Sequence, residues 1–428
     1  MFLFFLIMLQ SKLFYKTTKD SSKTEDSYGT RLLLQGDYIE RLASGIYSFL
    51  PLGWRVIKKI TEIIRKEMEA IDAQEVLLPS LQPKSIWEES GRWNTMEPPL
   101  FKIKDQHDKE FALGPTHEEV ITGLAKGRIR SYRDLPVALF QIQTKFRNEV
   151  RSTGGLLRTR EFSMKDLYSF HSEEKDLKVY YKKVANAYRN IFKTLDLNVL
   201  MIDAVSGSIG GETSHEFMVP STQGEDKVYY CEKCEIGFSE EYLKAKKQTG
   251  EPLECEKCHS ILEIKSCIEC GHIFNLGNKY STSMGLEFLD NSGKKNFVLM
   301  GCYGIGIGRL LSTVAEVHCS EHGIVWPKSI APFQIHIINL NLKDDESKKK
   351  IEQLYQDIKN IEINTLYDER QEISAGEKLI EADLIGSPIK IICSEKTIKD
   401  QKVEIRTKND KVELVDIGKA ENYIKNIL

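Results

Sequence analysis

Phe146-Arg147-Asn148-Glu149, then Arg158 followed by Phe162 and Asp166, and far downstream Gly304-Ile305-Gly306-Ile307-Gly308-Arg309, are the stretches on which the reading of this 428-residue chain turns. Singly, each arginine reads as a solvated surface residue and the glycine run as the end of a strand. Their order and spacing set them apart. A guanidinium stays charged and grips carboxylate or phosphate with a planar fork. Glycines let a backbone approach a ligand closely, and an arginine at a helix start faces the end that favours anions. A dinucleotide-binding fold or a kinase does not fit the glycine run, because no βαβ opening precedes it, no ribose-binding acid is placed for it and no kinase catalytic loop follows.

Working outward, Leu113-Gly114-Pro115-Thr116-His117-Glu118-Glu119 reads in two ways. In a strand, alternation puts Thr116 and Glu118 on one side, an anion and a neutral acceptor suited to a cationic nitrogen. Alternatively Pro115 opens a helix whose first acidic residues complement its dipole. Residues 207–217 carry several glycines and His215. Val56, Ile60, Ile63, Ile64 and Met68 predict an amphipathic helix over residues 52–70, followed by a short strand ending at Pro79. Leu177, Tyr181, Val184, Tyr188 and Ile191 predict a core-packing helix over 173–195.

Composition suits a soluble globular protein, with 41% hydrophobic and 29% charged residues and a formal net charge of −3. That charge announces no nucleic-acid partner, so any such contact must come from local basic patches. Of nine cysteines, six form the pairs Cys231/Cys234, Cys255/Cys258 and Cys267/Cys270, a spacing that argues for metal and a reducing compartment over a disulfide framework. Six candidates exceed four tetrahedral sites, and the first two pairs are preferred as zinc ligands. The apolar run from Met1 to Leu9 is too short to span a bilayer and lacks a basic leader, so a cytoplasmic protein is expected, with translation starting at Met1 or Met8. No other stretch approaches the length of a membrane helix.

After Trp326 and Pro327, apolar runs at 333–340, 361–367 and 389–393 alternate with helical stretches as βαβαβ. Between them lie Tyr367-Asp368-Glu369-Arg370 and the segment 376–388 with Lys378 and Asp383, preceded by Ser374-Ala375.

Taken together, these segments resemble the class II aminoacyl-tRNA synthetases, motif 1 lying at 52–79, motif 2 at 146–166 and motif 3 at 297–311, and within that class the prolyl-tRNA synthetases of the bacterial type. The resemblance implies an α+β fold: an antiparallel catalytic sheet flanked by helices over 8–224 and 272–329, a Cys-rich insertion at 225–271, and a C-terminal α/β anticodon-binding domain over 330–428. It implies ATP with Mg²⁺, L-proline and tRNA(Pro) as reactants, and a homodimer built through motif 1.

By the same resemblance, Arg147 bridges the proline carboxylate and the α-phosphate, Arg158 reaches the γ-phosphate, Phe162 lies under the adenine and Arg309 covers its other face. Glu149 and Thr213 belong to the nucleotide site, while Thr116, Glu118, His215 and Cys302 belong to the proline pocket. Cys302 read alone is also a candidate nucleophilic thiol. Asp368, Arg370, Lys378 and Asp383 are implied at the anticodon, with Ser374-Ala375 departing from the family's commoner Arg-Pro. The chemistry asks for such residues: a carboxylate already ionised attacks the α-phosphorus, so positioning and charge stabilisation matter more than a general base.

The stretch 225–271 is too short for the editing domain that most bacterial relatives insert there, so no cis-editing is expected and a separate deacylase would clear alanyl-tRNA(Pro). Two other classes remain open at this stage, a synthetase-like amino-acid sensor without aminoacylation and a zinc-ribbon nucleic-acid-binding protein.

Overall fold

The computed structural model describes residues 8–18, 27–152, 154–207, 209–211, 213–245, 253–359, 363–407 and 411–427. The N-terminal apolar run up to residue 7, parts of the glycine segment and of the Cys-rich stretch, and the start of the strand expected at 361 lie outside these. The fold is α+β, and the chain divides into two compact units, one of residues 41–47 and 60–313, the other of 1–40, 48–59 and 314–428.

The first unit is built on a nine-stranded sheet in the order Thr213–Pro220, Leu200–Ala204, Ile236–Ser239, Asp226–Cys231, Glu263–Gly277, Leu299–Gly306, Glu161–His171, Val137–Phe146 and Gln74–Glu75. Neighbours run antiparallel except at the edge strand Gln74–Glu75 and between Leu200–Ala204 and Ile236–Ser239. Thr213–Pro220 also pairs with Glu263–Gly277, so the strands at that end close on themselves. The helix Glu174–Thr194 buries Leu177, Tyr181, Val184, Tyr188 and Ile191, the face that the sequence predicts, each such side chain contributing up to about 1.5–3 kcal/mol. A helix spans Pro51–Glu69, with Val56, Ile60, Ile64 and Met68 fully buried.

Motif 2 is a long hairpin. Val137–Phe146 and Glu161–His171 pair in register from Val137/Phe170 to Phe146/Glu161, and Arg147 N–H extends the ladder to Arg160 O at 2.8 Å. Leu299–Gly306 lies on the other side of Glu161–His171, setting Gly304 opposite Asp166 and Gly306 opposite Met164 before the helix Ile307–Val317 begins. Three adjacent strands thus deliver both ends of the quoted sequence to one place.

The stretch 225–271 is not a separate appended body. Asp226–Cys231 and Ile236–Ser239 are strands of the catalytic sheet, and Glu263–Gly277 runs unbroken from the Cys-rich region into its centre.

The second unit carries a six-stranded sheet in the order Met8–Leu9, Thr365–Asp368, Ile335–Asn339, Ile389–Cys393, Lys402–Thr407 and Val412–Asp416, the first four strands parallel. The helices Asp345–Lys359 and Ala375–Ile385 complete the expected βαβαβ order. Ile335, Ile337, Ile351, Ile391 and Ile405 are among the fully buried core residues. Met8 and Leu9 pair with Leu366 and Tyr367, so the first residues assigned to the catalytic domain instead supply an edge strand of the C-terminal sheet. The boundary expected at 329/330 also falls inside this unit, which starts again at residue 314. A two-residue strand has no periodicity to read.

Candidate active site

A cavity of about 320 Å³ opens where the hairpin loop, the glycine segment and the three central strands meet. Arg147, Glu149, Arg158 and Phe162 line it from motif 2, and Gly304, Gly306 and Arg309 from motif 3. The Arg147 guanidinium sits 5.2 Å from the centre of the Phe162 ring, and its Nε has no hydrogen-bond partner among the described residues. Burial, reinforced by the nearby Arg309, works against the charge on Arg147, an arrangement that an anion in the cavity would relieve.

Arg309 is the third residue of its helix. Its Nε donates to Leu157 O and its Nη1 to both the carbonyl and the Oε2 of Glu269, all at 2.9 Å. Burial acts to raise the Glu269 pKa, but Arg309 and then His272 outweigh it and hold the carboxyl well below the usual range. Arg158 is half exposed and rests 3.4 Å from Glu225.

Thr116 and Cys302 form the inner end of the cavity. Glu118 is fully buried behind them: its Oε1 accepts from Thr116 Oγ1 at 2.8 Å and from Cys302 Sγ at 3.2 Å. Strand alternation is not what joins Thr116 to Glu118. Residues 114–117 are irregular, with a bend at Pro115, and the helix Glu118–Lys126 opens three residues after that proline, so a helix start, not a strand, describes the backbone while the side chains still meet. The segment is fixed by Tyr168, whose hydroxyl accepts from His117 N–H at 3.0 Å and donates to Asp166 at 2.9 Å. Burial and the Glu118 carboxylate push the Cys302 thiol well above its ordinary pKa, which argues against a nucleophilic thiolate.

His215 lies elsewhere. Its Nδ1 meets Tyr181 Oη at 2.7 Å and its Nε2 meets Asp203 at 3.1 Å, because alternation along Thr213–Pro220 turns it to the opposite face from its neighbour Glu216, which lines the cavity. Thr213 is exposed at the start of that strand, opposite Asn275, and does not line the cavity. From the glycine segment, Ser206, Gly207 and Ile209 reach the cavity instead.

Glu216, Glu269, His272 and Phe274 line the cavity without having been singled out from sequence. The His272 and Phe274 rings stack at 3.9 Å, and His272 Nδ1 lies 3.7 Å from Glu216 and 3.5 Å from Glu269. Burial, and next to it the Glu269 charge, push the Glu216 carboxyl up to about 9. The signal that could find them is period two: His272 and Phe274 alternate toward the same side as Glu216, which His272 faces across the ladder.

The sulfurs of Cys231, Cys234, Cys255 and Cys258 lie within 4.8 Å of one another, with Cys231 and Cys258 3.5 Å apart. Four thiols at that spacing suit a tetrahedral, thiophilic ion. Cys267 and Cys270 are buried on Glu263–Gly277, with Cys270 Sγ donating to Thr313 Oγ1 at 3.4 Å.

In the C-terminal unit, Asp368 and Lys378 are fully buried and Arg370 nearly so. Arg370 Nη2 bridges Asp368 at 2.8 Å and Glu381 at 2.6 Å, Lys378 Nζ donates to Asn339 O at 2.6 Å, and Asp383 pairs with Lys390. Gln10 joins this network, donating to Glu381 at 3.0 Å and meeting His336 Nε2 at 2.8 Å. Asp368, Arg370 and Lys378 are thus tied into ion pairs and hydrogen bonds within the domain, partners that the sequence does not show.

Residues 101–318 match the family model described as the tRNA synthetase class II core domain (G, H, P, S and T), and residues 334–427 match the anticodon binding domain. The chain is 35% identical to the proline–tRNA ligase of Sulfurihydrogenibium sp., covering 96% of this chain and 98% of that one, and 33% identical to that of Aquifex aeolicus, covering 98% and 99%. The first alignment runs over 553 positions, more than the 428 residues here, so that relative carries segments without a counterpart in this chain. The fold is similar to that of Cryptosporidium parvum prolyl-tRNA synthetase solved with L-proline and AMP, at a TM-score of 0.77 and 19% identity over 96% of this chain and 79% of that one; the same enzyme solved with halofuginone and AMPPNP gives the same score.

Proposed function

Given that this chain belongs to the proline–tRNA ligases, class II aminoacyl-tRNA synthetases, we infer that its central cavity joins L-proline to ATP and then passes the prolyl group to tRNA(Pro). The observation that carries this reading is that Arg147, Arg158, Phe162 and Arg309 share one cavity whose inner end is Thr116 and Cys302 backed by Glu118. The proline ammonium meets Thr116 with the Glu118 charge behind it. Its carboxylate lies against Arg147, which also holds the α-phosphate for in-line attack. Phe162 supports the adenine, and Arg309, fixed by Glu269 and Leu157, faces the phosphates from the other wall. Arg158 exchanges Glu225 for the γ-phosphate, and Glu149 completes the nucleotide side. Phe274 takes the wall assigned to His215.

Mg²⁺ travels with ATP and offsets phosphate charge. Cys231, Cys234, Cys255 and Cys258 hold a structural Zn²⁺. Two chains pair through motif 1, where Leu77 is 76% exposed beside the edge strand Gln74–Glu75. Residues 225–271 provide sheet strands and a cysteine cluster instead of a hydrolytic domain, so alanyl-tRNA(Pro) is left to an enzyme acting in trans. No described helix is long and apolar enough to cross a membrane, in keeping with work in the cytoplasm. Proline-dependent exchange of labelled pyrophosphate into ATP tests the reading. Its absence from folded protein supplied with Mg²⁺ would refute it.

A further inference from the structure

Arg92 touches nothing in the cavity, yet it is the cation of the proline end. It is 4% exposed, and its Nη1 reaches Glu118 Oε2 at 3.2 Å and Glu119 Oε1 at 2.9 Å, two adjacent carboxylates that are themselves fully buried. Its guanidinium carbon lies 5.3 Å from the Trp87 ring and 5.5 Å from that of Tyr280, and Nη2 contacts Met96 Sδ at 3.0 Å. Two neighbouring carboxylates in a dry site do not both stay ionised without a cation.

Arg92 hydrogen-bonds to both carboxylates, whereas Lys145 is engaged with Asp166 at 2.9 Å and Lys279, in the field of both Glu118 and Glu119, donates to Ile209 O at 2.8 Å. Tyr168, Tyr280 and Cys302 are neutral near pH 7, burial holding each proton on. His117 is neutral too, its pKa lowered to about 4 by burial and Lys145. Arg147 faces the cavity with Glu118 in its field.

We propose that Arg92 is the positioning residue of the proline site, holding the Glu118 carboxylate toward Thr116 and Cys302 to receive the single substrate cation. The proposal rests on Glu118 serving the proline ammonium. Burial raises the Glu119 pKa against the pull of Arg92, with the Glu118 charge adding to the rise, so the guanidinium offsets the cost of holding two adjacent carboxylates in a dry site.

Arg92→Met is therefore expected to raise KM for proline roughly 30-fold or more, with kcat and KM for ATP within about threefold of the parent. Adding Glu119→Gln removes the competing charge and recovers at least about threefold of the lost affinity. An equal rise in KM for ATP, a matching fall in kcat, or no rise at all overturns the proposal. If Arg92→Met does not fold, Arg92→Lys carries the same test, since a single ammonium reaching one carboxylate predicts a smaller rise in KM for proline, again without a rise in KM for ATP. Glu118→Gln is the separate control: an unchanged KM for proline there overturns the ammonium assignment itself, whatever Arg92 does.

Discussion

Replacing Arg309 with glutamine removes a charge while keeping bulk and one donor. Of the three hydrogen bonds at 2.9 Å that the side chain makes, glutamine can retain one and leaves Glu269 without its ion pair. Breaking a buried pair costs about 3–5 kcal/mol, but Arg309 is 27% and Glu269 31% exposed, so water recovers part of this and about 2–3 kcal/mol of stability is the expected loss. The catalytic loss is separate: one donor withdrawn from developing phosphate charge costs about 3–4 kcal/mol, or roughly 10²- to 10³-fold in kcat. Pyrophosphate exchange at saturating proline and ATP reads the second quantity, and urea unfolding reads the first. Proline KM should stay near that of the parent, because Arg309 lies at the nucleotide end. An Arg309→Gln protein that exchanges pyrophosphate within threefold of the parent would remove this arginine from the phosphates and refute the reasoning, however much stability it had lost.

Arg147→Ala should lose proline-dependent exchange by a similar factor, roughly 10²- to 10³-fold, with an unchanged circular dichroism spectrum; near-normal exchange would exclude it from the site. Protein purified with zinc and without chelators should contain about one tightly held zinc per chain, lost in Cys231→Ser or Cys255→Ser, since structural zinc sites bind by about 10–16 kcal/mol. Metal analysis finding none would leave the cysteines as relics. Pure enzyme added to pre-formed alanyl-tRNA(Pro) should not hasten its hydrolysis above the spontaneous rate, and clear enzyme-dependent deacylation would mean that an editing activity survives. The raised Glu216 pKa, about 9, means that the folded state holds a proton that the unfolded chain releases above its ordinary value of 4.5. Stability should therefore fall as pH rises from about 5 to 9, by up to about 1.4 kcal/mol per unit from this group, and Glu216→Gln should flatten that slope in urea titrations across the same range.

What was legible in the sequence is what depends on local pattern. Leu177 to Ile191 announces its helix because one face repeats at helical spacing, and the glycines before Arg309 mark a strand passing into a helix. Arg147, Phe162 and Arg309 were readable because their order survives in the chain even though 162 residues separate the first from the last. What failed needed knowledge of a face or of a partner. His215 and Glu216 are adjacent, and only the pairing of their strand decides which one sees the cavity. Phe274 and His272 were visible as residues but not as neighbours of Glu216, because the antiparallel register with Glu263–Gly277 joins positions far apart in sequence. The partners of Arg370 and Lys378, Glu381 and the Asn339 carbonyl, lie 11 and 39 positions away and are not legible from the charges alone.

The pairing of Met8–Leu9 with Thr365–Asp368 has a consequence on the ribosome. Residues 41–47 and 60–313 form one compact unit made well before the last strands of the other, so it can begin to fold while synthesis continues. The other unit cannot, because Leu9 waits for Tyr367, roughly 360 residues later, which at about 5–20 residues per second is roughly 20–70 s. Throughout that interval Met8 and Leu9 lack the strand they pair with, and their apolar side chains stay open to chaperones until translation of Thr365–Asp368.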